Sequence, residues 1–215
     1  PTVEYEMLEG QIGYILITQF DLVTAQQFKE AADDLMSQGM KGLVLDLRSN
    51  PGGVLDGAVE IADYILPDDL TEYAAGGQET MIVYTEDKNG EGEQYRASDG
   101  HQLDIPIAIL INEESASAAE VLTGALTDYD RAVSVGTTSY GKGIVQSLIP
   151  LGDGSAIKIT MAHYYTPSGF DLHGKGITPD VEVELDEALR TQAVVEPQED
   201  NQVQAAVEEV MEQME

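Results

Sequence analysis

Apolar residues change period several times along this chain, and each change marks an element. Gln11–Phe20 is rich in β-branched and aromatic residues and predicts a strand. Thr24 opens a helix, with Gln27 three residues on as a capping box. Phe28, Ala31, Ala32 and Leu35 follow at helical spacing, up to Gly39 as a C-terminal cap. The continuous apolar run Gly42–Leu47 predicts a strand buried on both faces. The loop Arg48-Ser49-Asn50-Pro51-Gly52-Gly53 leaves its C-terminal end. Val54–Leu66, apolar at Val54, Leu55, Ala58, Ile61, Ala62 and Ile65, is a second helix, stopped by Pro67. This β-α-β-loop-α order predicts a sheet covered by helices, an α/β fold.

Beyond Pro67 the chain is more polar as far as Asp104. Within this stretch Met81–Tyr84 and Gln94–Ala97 flank Asn89-Gly90, a hairpin turn signal. Ile105–Ile111 predicts another buried strand, followed by a helix from about Ala118 to Asp128 and a short strand, Ala132–Val135. Ile144–Pro150 and Ala156–Tyr165 form a strand pair across Gly152-Asp153-Gly154, and Thr166–Asp180 is a glycine- and proline-punctuated loop. Residues 1–185 thus make up the core, and residues 186–199 a linker. Residues 200–215 form a last amphipathic helix, capped by Asp200, with Val203, Ala206, Val207, Val210 and Met214 on one stripe. That helix is expected to bury Val203, Val207 and Val210 against the core or against a second copy of the chain, as a homodimer.

Composition narrows the function classes. Forty acidic against ten basic residues, a formal charge of −30 over 215 residues, exclude nucleic-acid binding through phosphate neutralisation. The same balance disfavours an anionic membrane surface or a phosphate-rich ligand. Cysteine is absent, so disulfides, thiolate metal sites and a cysteine nucleophile are excluded. No apolar run approaches a membrane span and no signal-peptide pattern opens the chain, which reads as a fragment whose targeting segment lies elsewhere.

Candidate chemistry concentrates between strand and helix. In Asn112-Glu113-Glu114-Ser115-Ala116-Ser117-Ala118-Ala119-Glu120, Ser117 falls on a strand-to-helix turn, near the positive end of a helix, where the next N–H can help bind an oxyanion. Ser117-Ala118-Ala119-Glu120 is also a capping box, a purely structural role. A serine nucleophile needs a base. His101, His163 and His173 stand in no recognisable catalytic context. Lys142, flanked by Gly141 and Gly143, is the other base, and strand period would place Gln146 on its face to hold the amine; a solvated lysine in a turn is the plain alternative. The glycines of Asn50-Pro51-Gly52-Gly53 expose backbone N–H groups that suit an oxyanion hole, or make an ordinary turn.

Taken together these stretches resemble the C-terminal processing peptidases, or tail-specific proteases, serine endopeptidases with a Ser–Lys pair. The resemblance rests on five stretches in order: Leu45–Gly53, Glu114–Glu120, Tyr140–Gln146, Tyr165–Gly169 and Gly174–Asp180, within about residues 8 to 185. It implies a ClpP/crotonase-like α/β core. It also implies Ser117 as nucleophile, Lys142, 25 residues on, as general base, and Gln146 as the residue supporting the lysine. The oxyanion donors it implies are the N–H groups of Ala118 and Gly53, with Gly52 a competitor; Ser115 competes as nucleophile but is out of register with Lys142. No metal or cofactor is implied. The implied partners are protein or peptide substrates bound in extended form, cut in unfolded or tail regions, outside the cytoplasm. Phe170 departs from the family pattern, which often has a basic or polar residue there. A PDZ module, usual in full-length members, is missing, and the chain starts about where it would end. A crotonase-like acyl-CoA enzyme and a non-catalytic peptide-binding core are the rival readings; the first would want cationic groups for the CoA phosphates, and the ten basic residues are spread along the chain.

Overall fold

The computed structural model describes residues 1–68, 81–192 and 195–214. The strands are β1 (Val3–Leu8), β2 (Ile12–Ile17), β3 (Gly42–Asp46), β4 (Met81–Glu86), β5 (Gln94–Arg96), β6 (Ile107–Ile111), β7 (Val133–Gly136), β8 (Ile144–Pro150), β9 (Ala156–Tyr165) and β10 (Val181–Glu182). The helices are α1 (Thr24–Ser37), α2 (Leu55–Ile65), α3 (Ala118–Asp128) and α4 (Asn201–Gln213). Ala193 and Val194, within the expected linker, and Glu215 lie outside the described residues.

A six-stranded sheet runs β1-β2-β3-β6-β7-β10, parallel except where β1 pairs antiparallel with β2. Successive parallel strands need crossovers, and α1 and α3 supply them for β2 to β3 and for β6 to β7. Strands β3 and β6 are buried at every position, because both faces are covered. On one face Leu43, Leu45, Ile107 and Ile109 pack in one cluster with Phe28, Ile61 and Leu122 of α1, α2 and α3. On the other, Val44, Ala108 and Leu110 meet Val203, Ala206 and Val210 of α4. The stripe expected on the last helix therefore packs on the core; Val207 is only partly buried. Asp200 caps α4 through the N–H groups of Gln202 and Val203.

A second, antiparallel sheet runs β5-β4-β9-β8. Its β8–β9 pair and its β4–β5 hairpin lie where their sequence patterns place them. Two elements escape the periodicity. Strand β1 is an edge strand whose Glu4, Tyr5 and Glu6 are exposed, so it has no apolar face to betray it. Strand β10 is two residues long. The Thr24–Gln27 capping box does not form: Thr24 lies inside α1, its hydroxyl bonds Thr2 Oγ1 and accepts from the Asp21 N–H, and Gln27 Oε1 accepts from the Thr2 N–H. Those side chains tie α1 to β1 instead of to its own first turn.

Candidate active site

Three loops converge beyond the carboxyl ends of β3 and β6, the usual position of a site in a parallel α/β sheet. The first carries Ser117. It holds φ 57° and ψ −116°, a conformation sparsely populated for any residue with a Cβ. Such strain at a strand-to-helix turn pushes the serine out of both elements, the geometry of a nucleophile elbow. Ser117 is half-buried while its neighbours Ala116 and Ala118 are buried. Ser115 is spent on structure: its buried hydroxyl donates to Leu47 O at 2.8 Å and accepts from the Asn112 N–H at 2.9 Å.

The second loop is Arg48–Gly53. Its exit is pinned to Phe20, whose N–H donates to Gly52 O and whose carbonyl accepts from the Val54 N–H. Its middle is pinned to the serine turn by the Ala116 N–H donating to Asn50 O at 2.9 Å. Gly52, at φ 89°, lies so close that a Cβ would sit 2.7 Å from Ser117 Cβ and 2.9 Å from Ala118 N. Only glycine lets the two loops touch there. The Gly52 N–H donates to Asn50 Oδ1 at 2.9 Å and so is taken. Among the described residues, neither the Gly53 nor the Ala118 N–H has an acceptor.

The third loop, Ser139–Gly143, brings Lys142. The Tyr140 N–H donates to Ser115 O. The main tie is Glu120, a fully buried carboxylate on the first turn of α3. Its Oε2 accepts from the Ser117 N–H at 2.9 Å and the Lys142 N–H at 2.8 Å; its Oε1 accepts from the Gly141 N–H at 2.7 Å and from Ser139 Oγ–H. The Ser117 and Lys142 nitrogens, sharing one acceptor oxygen, lie within about 6 Å of each other. Ser139 Oγ in turn accepts from the Ile177 N–H, so the Gly174–Asp180 stretch buttresses the same carboxylate. Sequence reasoning saw Glu120 only as a capping partner. The acid is a capping residue on one side, and the two long-range bonds to Gly141 and Lys142 have no sequence signal.

Lys142 is half-buried, and among the described residues no carboxylate pairs with its amine. Gln146 does not reach it: its amide nitrogen faces Thr160 Oγ1 at 3.4 Å. Lys142 precedes β8 and so lies outside the strand whose alternation was expected to align the two, and a register shift that leaves Met161 of β9 without a partner sets Gln146 opposite Thr160. Among the described residues no histidine side chain bonds Ser117 or Lys142, although the His173 backbone lies against Gly143 and His163 pairs with Ile144. His101 stacks on Tyr64 and bonds its carbonyl, and His163 faces Asp171 and the ring of His173. Phe170 is accommodated at the surface beneath the Lys175 ammonium, 4.9 Å from the ring centre.

Residues 11–183 match the family model of peptidase family S41. The chain belongs to that family. Over 92% of its length it is 40% identical to a carboxyl-terminal-processing protease of Synechocystis, covering 43% of that protein. Over 85% it is 41% identical to a carboxy-terminal-processing protease of Bartonella bacilliformis, covering 41%. Among solved structures it is similar to the photosystem II D1 C-terminal processing protease, with TM-score 0.75 and 31% identity over 86% of this chain and 48% of that one. A putative S41 protease from Bacteroides fragilis shares the fold at TM-score 0.77 and 19% identity, over 99% of this chain and 57% of the other. The S41 chain thus spans less than half the length of these curated relatives. Its fold is the ClpP/crotonase-like α/β core that the motifs imply.

Proposed function

We propose that this S41 chain carries the catalytic core of a serine endopeptidase. Ser117 attacks the peptide carbonyl, Lys142 takes the hydroxyl proton and returns it to the leaving amine, and water then hydrolyses the acyl-enzyme. The Gly53 and Ala118 N–H groups receive the oxyanion, a contribution of about 3–4 kcal/mol per donor in well-studied cases. The observation that carries the reading is the strained Ser117 turn, with two unengaged N–H groups beside it and the Lys142 loop bonded to the same buried carboxylate. Gln146 serves the lysine only if its amide turns from Thr160. The chemistry calls for neither metal nor cofactor, since nucleophile, base and oxyanion donors all come from the chain.

The substrates are proteins in extended form, cut in unfolded or C-terminal regions; the similarity to C-terminal processing proteases supports the second. The enzyme works outside the cytoplasm. No helix among the described residues is long and apolar enough to cross a membrane, so membrane attachment through these residues is not part of the proposal. Incubation with an unfolded casein and a fluorophosphonate probe tests the reading. Ser117→Ala abolishes both cleavage and labelling with native circular dichroism, and Ser115→Ala costs stability more than turnover. The reverse pattern, or a Lys142→Met variant that still cleaves, overturns the assignment.

A further inference from the structure

The loop that holds the Gly53 donor is pinned at its exit by Phe20. Its entrance is pinned by Arg48, and the partners of Arg48 are unusual. Two sides of the guanidinium grip Asp46 at the end of β3, with Nε 3.0 and 3.1 Å from its two oxygens and Nη2 at 2.6 Å. The remaining nitrogen, Nη1, donates to Asp200 Oδ2 and to Gln202 Oε1, both at 2.8 Å. Those two residues start α4, about 150 positions later in the chain. Asp200 spends its other oxygen on the N–H groups of Gln202 and Val203. Gln202 uses its amide nitrogen on Val183 O at 2.6 Å. The pair is largely dry: the Arg48, Asp46 and Asp200 side chains are 15%, 3% and 6% exposed. Burial opposes the arginine charge, but Asp46 and then Asp200 outweigh it and hold the group above the ordinary arginine range.

Nothing in helix packing requires this arrangement. Val203, Ala206 and Val210 already seat α4 on the sheet. A cap needs only one oxygen of Asp200. The second oxygen, and the Gln202 carbonyl, are directed at the first residue of the oxyanion loop. We infer that the N-terminus of α4, through Asp200 and Gln202, clamps Arg48 and thereby sets the position of the Gly53 N–H, making the last helix a working part of the active site. This rests on the serine endopeptidase reading for its consequence, though not for the clamp itself. Asp200 and Gln202 are positioning residues: they act on the reaction through Arg48 and touch no reacting atom. A donor displaced by about 1 Å is enough to cost around 100-fold in rate.

Asp200→Asn isolates the clamp. Asparagine caps helices as well as aspartate, so α4 keeps its start, while the amide meets Nη1 with no charge or with its own donors. In the full chain, hydrogen–deuterium exchange of residues 48–54 is expected to rise at least about 10-fold, with β3, β6 and α4 unchanged. Turnover of an unfolded substrate is expected to show kcat falling about 10- to 100-fold and KM moving less than about two-fold. Gln202→Met removes the second acceptor with Asp200 intact, and gives a smaller shift of the same kind; it decides the matter if Asp200→Asn fails to fold. Unchanged exchange over 48–54 overturns the clamp. Raised exchange with unchanged kcat, or a loss confined to KM, overturns its role in positioning the donor. A parent chain with no peptidase activity counts against the serine endopeptidase reading, and exchange still decides the clamp.

Discussion

Strands β6 and β9 both carry isoleucines among other apolar residues, yet all of β6 is buried while the first six residues of β9 are exposed. β6 lies between β3 and β7, with α3 on one face and α4 on the other. β9 is covered only near its end, where Tyr84, Thr85 and Glu86 of β4 pair with it; farther out it makes a two-stranded ribbon with β8. The apolar side chains of that ribbon, among them Leu148, Ile149, Ile157, Ile159 and Met161, face solvent. The candidate site sits on the seam between these two environments. Ser117 leaves the buried sheet after β6, and Lys142 enters the exposed one just before β8. One carboxylate, Glu120, bonds the backbone of both.

The comparison breaks first at that seam. Glu120→Ala leaves four donors without a partner in a dry spot, at about 1–3 kcal/mol each. A large drop in denaturation midpoint and complete loss of turnover are expected, with Glu120→Gln intermediate because it keeps some of the acceptors. A stable Glu120→Ala protein with normal turnover would show that the two sheets need no such tie. Next come matched truncations. Ile109→Ala in β6, fully buried, is expected to cost about 2–5 kcal/mol. Ile159→Ala in β9, 40% exposed, is expected to cost less than about 1 kcal/mol. Similar losses measured by urea unfolding would mean that the ribbon is covered in solution.

Gly52→Ala sharpens the picture on the buried side. Its left-handed conformation alone costs an alanine about 1–2 kcal/mol. The new Cβ would also lie 2.6 Å from Ala116 O, displacing the serine turn. Turnover is expected to fall about 100-fold while the melting transition stays cooperative; unaltered kinetics would separate Gly52 from the site. The smallest effect belongs to the exposed sheet. Asp87 in the β4–β5 turn accepts from the Glu91 and Asn89 N–H groups, which hold its pKa below the ordinary 3.8. A lowered folded value means that its stabilising contribution is whole above 3.8 and disappears as pH falls through the folded value. An NMR titration should show the turn loosening only in that acidic window. An Asp87 that titrates at or above 3.8 contradicts the hydrogen bonding.

Much of this was open to reading along the chain. The apolar runs of β3 and β6 and the stripe of α4 each announce an element, because burial on two faces or one leaves a local pattern of period or length. The turn at Ser117 and the glycines of the Arg48–Gly53 loop were legible for a similar reason: a tight backbone restricts which residues can occupy it. Motif order and spacing also carried the proposed pairing of Ser117 with Lys142, whose backbone N–H groups share Glu120. The exposed face of β1 and the brevity of β10 left no such pattern, and the bulge that turns Gln146 toward Thr160 is a matter of register between β8 and β9.

What the sequence by itself determined, then, is most of the strands and helices, the burial of β3, β6 and the α4 stripe, and which residue types stand at the turns. Those properties follow from neighbours within a few positions, and a few positions are enough to express them. Only the tertiary structure decided what the polar side chains do. Glu120 turned out to bond residues 21 and 22 positions away, and Arg48 to reach Asp200 and Gln202 across 152 and 154. A buried charge takes whatever partner the packing of distant elements delivers, because leaving it unpaired in a dry interior costs more than almost any local preference. Local pattern cannot encode that choice.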